Sequence, residues 1–197
     1  MIENCTAYGP AEYNFRCALT KEEMISGTNE SETARKNMLS FFTYIIDDTR
    51  HVRYMPGNIV IRNCSVRNAD RFIHLNLSGN EWWQKGNPPE DMLMENIVAE
   101  GISMGSNAYG DGEIPFKLTL RNLDFTYREG FENVIFLKAG EFGRITLDKV
   151  KINNYKGGSL IKTWGEKGEV IIKDLECDIE PEKIVVKATE KYECGAI

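Results

Sequence analysis

One eight-residue phrase recurs along this chain, and its spacing limits the fold more than any single residue does. Ile59-Val-Ile-Arg-Asn-Cys-Ser-Val66 returns as Met92-Leu-Met-Glu-Asn-Ile-Val-Ala99 and as Leu118-Thr-Leu-Arg-Asn-Leu-Asp-Phe125. It returns again as Ile145-Thr-Leu-Asp-Lys-Val-Lys-Ile152 and as Val170-Ile-Ile-Lys-Asp-Leu-Glu-Cys177. Its second apolar residue falls at Ile61, Met94, Leu120, Leu147 and Ile172, in steps of 33, 26, 27 and 25 residues. Self-similarity at such a period marks a solenoid.

Within each copy the apolar residues stand at positions 1, 3, 6 and 8. Alternation puts one face of a strand on a core and the other in water. A slip in that alternation flips the faces unless the chain turns a corner there. The corner residues are then Asn63, Asn96, Asn122, Lys149 and Asp174. Asn and Asp tolerate the left-handed backbone that a corner uses. A second apolar stretch follows most copies: Phe72 to Leu77, Val134 to Leu137, Leu160-Ile161 and Ile184 to Val186. The pattern predicts an all-β chain, a right-handed parallel β-helix in which stacked coils share one core. Residues 1–197 form a single β-helix domain.

Met1-Ile-Glu-Asn-Cys-Thr-Ala matches the second half of the repeat, with Ile2 at the marker and Asn4 at the corner. The chain therefore reads as the C-terminal coils of a longer β-helix, or as a solenoid whose raw first coil is covered by self-association into a homo-oligomer. The 59-residue step from Ile2 to Ile61 fits two coils with a polar loop insertion over Thr20 to Lys36. The first would end with Tyr13 to Leu19 and the second would use Leu39 to Ile46. Lys21 to Ser26 or Ser31 to Asn37 could form a short helix, and Lys183 to Ile197 holds the last strand and a tail.

The net charge of −6 gives no electrostatic footprint for nucleic acid. The longest apolar run, Met38 to Ile46, is too short to cross a membrane. No basic segment followed by an apolar one opens the chain, so it reads as cytoplasmic as given. None of the five cysteines form a C-x-x-C pair, which argues against zinc. Cys5, Cys64 and Cys177 take inward repeat positions as small reduced hydrophobes. No phosphate-binding glycine motif and no aspartate cluster with calcium spacing occurs, so no cofactor and no metal is expected. The N-x-S/T sequons at Asn4, Asn29, Asn63 and Asn76 read as coincidence.

Two segments offer chemistry. Arg71 to Trp83 places His74 and Asn76 on the same strand face as Phe72, opposite Ile73, Leu75 and Leu77. If the latter set points inward, Arg71, His74 and Asn76 line an outer face beside Glu81, Trp82 and Trp83. Aromatic rings stack on sugars, while Arg and Asn bind hydroxyls or carboxylates. The opposite parity buries Phe72 and puts His74 in the core, and the tryptophans are then a lid over a core edge. Trp164, beside Lys162, is packing or a stacking partner of a neighbouring coil. Elsewhere, Asp47-Asp48 and the pair Asp111 and Glu113, in the Tyr109-Gly-Asp-Gly-Glu segment, could supply paired carboxylates. An inverting glycosidase needs two carboxyl groups roughly 6.5–9.5 Å apart. Both pairs also read as solvated turns.

The repeated I-x-I-x-N phrase resembles the right-handed β-helix of pectin-lyase-like proteins, the polygalacturonase-type glycoside hydrolases in particular. Pro56 to Cys64, Asp70 to His74, Ser78 to Trp83, Tyr109-Gly-Asp111 and Leu160 to Trp164 look like the C-terminal part of bacterial members. The resemblance implies a carbohydrate-active protein that acts on or binds a pectin-like or other acidic polysaccharide, exported in its full-length form. The family's N-T-D, G-D-D, G-H-G and R-I-K motifs are missing, so no catalytic position is carried over. A catalytically incomplete piece, a non-catalytic sugar-binding module and a structural or assembly piece all remain open at this point.

Overall fold

In the computed structural model the chain winds as a parallel β-helix. The structure describes residues 1–9, 14–15, 34–35, 39–45, 57–77, 89–110, 114–130, 134–165 and 167–188. Its strands are β1 (Ile2–Glu3), β2 (Thr6–Tyr8), β3 (Asn14–Phe15), β4 (Ala34–Arg35), β5 (Ser40–Ile45), β6 (Asn58–Arg67), β7 (Arg71–Asn76) and β8 (Asp91–Ile102). There follow β9 (Ser106–Tyr109), β10 (Lys117–Tyr127), β11 (Leu137–Gly140), β12 (Arg144–Asn153), β13 (Ile161–Trp164), β14 (Glu169–Ile172), β15 (Leu175–Cys177) and β16 (Val185–Lys187). Among the described residues the helical structure is one 3-10 turn, Pro181–Lys183.

The repeated phrase builds an eight-stranded sheet in the order β1-β6-β8-β10-β12-β14, with β2 against β6 and β15 against β12. Its register is the one the spacing dictates. Ile61, Met94, Leu120, Leu147 and Ile172 form one column, and Cys64, Ile97, Leu123, Val150 and Leu175 another. The inward positions of β8, β10 and β12 are all buried, whereas Val170, Ile172, Leu175 and Cys177 in the last coil are half-buried. That is the expected profile of a solenoid, in which an inner coil is covered on both sides.

The corners also fall where alternation slips. Asn4, Asn63, Asn96, Asn122 and Lys149 all take left-handed backbone, with φ of 49–59°. Asn96 Nδ2 donates to Asn63 Oδ1 at 3.0 Å, and Asn122 Nδ2 donates to Asn96 Oδ1 at 2.8 Å. Each inner side chain thus bonds the corner of the next coil as well as relieving its own backbone. Asp174 departs from this expectation. It has no left-handed φ, and the strand is interrupted there between β14 and β15. The amide column ends at Asn122, because the next corner residue, Lys149, carries no amide.

Beside the corners runs a column of strictly alternating charge: Glu3, Arg62, Glu95, Arg121, Asp148 and Lys173. Glu3 meets Arg62 at 3.2 Å, Arg121 meets both Glu95 and Asp148 at 3.2 Å, and Lys173 lies 3.8 Å from Asp148.

The second stretches build a six-stranded sheet in the order β16-β13-β11-β9-β7-β5. An aromatic cluster fills the space between the sheets. Phe125 meets Phe72 and Phe136 edge-on at 5.7 Å and 5.2 Å, and Phe41 stacks on Phe72 at 5.6 Å.

Three expectations need correction. Ile2 pairs directly with Ile61, so the 59-residue step between them makes one coil with a long excursion, not two coils. β5 belongs to that same coil, and β3 and β4 pair separately with each other. Ala34–Arg35, inside a stretch expected to be helical, is a strand. Cys5 occupies the column of Cys64, yet it is exposed, because β1 and β2 pair on one side only among the described residues. Most of the 20–36 insertion, and the Lys21 to Ser26 helix, lie outside the described residues.

Candidate functional site

The six strands of the second sheet contain no Asp or Glu, although the chain as a whole is acidic. Their outward side chains form two columns. Thr43, His74, Asn107, Lys138, Lys162 and Val186 make the first. Asn76, Tyr109, Gly140 and Trp164 make the second. Successive coils stand about 4.8 Å apart, so each column offers one side chain per step.

The parity question in β7 has a mixed answer. Phe72, Ile73, Leu75 and Leu77 are all buried, while His74 and Asn76 are half-buried and point outward. The alternation slips between Phe72 and Ile73, which returns Arg71 to the outer side with His74. Arg71 itself is only 4% exposed, so it does not line the face as a free cation, as the sequence suggested.

Asp70 sets this geometry. It is fully buried, and its Oδ2 accepts from the Leu39 backbone N–H at 2.7 Å. Its carbonyl accepts from Ser103 and Met104, which ties three successive coils together just before β7. Arg71 Nη1 then donates to His74 Nδ1 at 3.0 Å and to Asn107 Oδ1 at 2.9 Å. The Asn107 amide is assigned with its oxygen toward Arg71, because the reverse sets donor against donor. In that orientation its nitrogen donates to Tyr109 Oη at 3.3 Å. Arg71, His74, Asn107 and Tyr109 thus form one connected polar group spanning two coils.

Because Arg71 Nη1 can only donate, His74 Nδ1 accepts and Nε2 carries the proton. Burial first, and the Arg71 guanidinium second, push the His74 imidazole down to about 4. It is therefore a neutral hydrogen-bonding group at pH 7, not a cation and not a stored acid. The unfolded chain takes up this proton below about pH 6.5 and the folded chain does not, so stability falls as pH drops from 6.5 toward 4. Allowing for partial exposure, the loss is of the order of 1–2 kcal/mol. Urea unfolding of wild type and His74→Gln at pH 7 and pH 4.5 should show a smaller pH-dependent loss in the variant by that amount. Equal slopes would mean that His74 titrates normally.

Tyr109 and Trp164 lie two coils apart, about 9.6 Å along the stack, yet their ring centroids are 5.0 Å apart. The rings meet over Gly140. A Cβ there would sit 1.9 Å from Trp164 Cε2, so only glycine leaves room. Trp164 packs, as expected, and it also bridges to a coil beyond its neighbour.

His74, Asn76 and Tyr109 come together on this face, with Arg71 buried behind His74. Asp47, Asp48, Glu81, Trp82, Trp83, Asp111 and Glu113 lie outside the described residues. The sequence reading missed Asn107 and Lys138, because β9 and β11 are four-residue strands and β9 reads Ser-Asn-Ala-Tyr, without an apolar run. Only the register with β7 shows where they point. Among the described residues no cluster of metal-ligating side chains occurs. Comparison with protein-family models, curated proteins and solved structures finds no match.

Proposed function

We propose that the outer face of the six-stranded sheet binds an acidic oligosaccharide. One observation carries this: six adjacent strands without an acidic residue present His74, Lys138 and Lys162 in one column and Asn76 and Tyr109 in the next, with the buried Asn107 bracing His74 and Tyr109 from beneath. Lysines one coil apart suit carboxylates that recur along an extended polymer. Amides and the neutral imidazole suit hydroxyls, and the half-buried Tyr109 ring suits the apolar face of a sugar. The sequence likeness to polygalacturonase-type proteins points to the same ligand class. The strands of this face supply cations and amides, and binding is the reading that those groups support.

Calorimetry with oligogalacturonate at low salt tests it. Binding is expected in the micromolar to millimolar range, weakening as salt rises. Lys138→Gln combined with Lys162→Gln should weaken it by about tenfold or more, since a desolvated charge-assisted contact contributes about 1.5–3 kcal/mol. Neutral oligosaccharides of equal length should bind less. Equal heats from neutral and acidic sugars, or none from either, would remove the basis for this assignment. Release of shortened products would add cleavage to binding.

A further inference from the structure

We infer that the two ends of this solenoid are complementary and that copies of the chain stack head to tail. The alternating column runs Glu3, Arg62, Glu95, Arg121, Asp148, Lys173, so the first described coil presents an acid and the last described coil a base. A second copy placed over the last coil sets its Glu3 on Lys173 and continues the alternation unbroken. Copies joined by like ends instead set Glu3 against Glu3 or Lys173 against Lys173, which repel.

The apolar columns match in the same register. Ile2 is 39% exposed and Cys5 is exposed at one end, where they would cover half-buried Ile172 and Leu175 at the other. Phe42 follows the column that ends on Val185, which is 40% exposed. Tyr8, 71% exposed, falls in the column of Arg67, Glu100, Thr126 and Asn153. Asn153 lines a cleft of about 680 Å³ with Ile152, Tyr155, Cys177 and Asp178, so the ring of an added copy has a place to enter. Among the described residues, β1 and β2 pair only with β6, and β14 and β15 pair only with β12, so both ends carry strand edges that parallel pairing would satisfy. Exposed ion pairs are individually weak, so the charges select the register while the columns and edges hold it. Such a head-to-tail contact does not close on itself and gives linear polymers.

Light scattering and electron microscopy of the whole chain, from about 1 to 100 µM at low salt, test this. Mass should grow with concentration beyond a dimer, as unbranched fibres, and shrink at high salt. Glu3→Lys alone and Lys173→Glu alone should each raise the concentration for half-assembly at least about tenfold. An equimolar mixture of the two should recover assembly, because every junction in an alternating stack then pairs opposite charges. Far-UV circular dichroism checks that each variant is folded. The proposal is overturned by a wild-type mass that stays at 22.4 kDa throughout. A closed dimer, or folded variants that assemble as wild type does, overturns it equally.

Discussion

Phe125→Ala is expected to remove about 3–5 kcal/mol of unfolding free energy, more than any truncation in the terminal coils. The ring is fully buried in the column Val66, Ala99, Phe125 and Ile152. It meets Phe72 and Phe136 edge-on and Tyr127 at 4.8 Å, and these rings come from both sheets. Losing it opens a cavity that the neighbours fill only in part, because the close-packed interior relaxes little. A solenoid adds a second cost: a weakened central coil loses contacts to the coil before and the coil after. Val170→Ala, in the half-buried last coil, should cost only about 1 kcal/mol. Urea unfolding measures both. Equal costs at the two sites would mean that the aromatic cluster does not join the two sheets.

Gly140→Ala is expected to cost about 2–4 kcal/mol, unusually much for one methyl group on an outward position. The added Cβ lands inside the Trp164 ring, and Tyr109 blocks the ring's other side. Overpacking costs about 1–3 kcal/mol, and loss of the ring pair adds about 0.5–1.5 kcal/mol. The mechanism has its own control. In a Trp164→Ala background the three atoms nearest the added methyl group are gone, so Gly140→Ala should then cost less than about 0.5 kcal/mol. If the cost persists there, backbone freedom at Gly140 and not ring packing is responsible. The same substitution should weaken oligogalacturonate binding, since displacing Trp164 moves Tyr109.

The repeat was legible because buried positions repeat with the coil. Any residue in the columns of Ile61 or Cys64 must be apolar, so five copies of one phrase fixed the register of the larger sheet. The first coil was misread for the converse reason. β1 and β2 hold five residues between them, and no local pattern tells whether a strand pairs with the next coil or the one after. Only the pairing of Ile2 with Ile61 decides it. The site was half legible. His74, Asn76 and Tyr109 stand out as single polar or aromatic residues. Arg71 was misplaced because the slip at Phe72-Ile73 breaks the parity used to orient it. Lys138 is an outward residue, on which packing imposes no pattern, and Asn107 is a buried polar residue in a strand without an apolar run, so both become visible only when adjacent coils are aligned.

The charge column also proofreads the winding. The coils place apolar residues at the same positions, though of different sizes, so burial rejects a stack that skips a coil less sharply than charge does. Omitting any one coil sets like on like: Glu3 on Glu95, Arg62 on Arg121, Glu95 on Asp148, or Arg121 on Lys173. Each such skip exchanges an attraction for a repulsion, a difference felt while the strands are still choosing partners. A skip of two coils escapes this test, but it must loop out more than fifty residues at once, which closure entropy disfavours. Six surface side chains worth little to the stability of the finished fold therefore act as a parity check on how it is assembled.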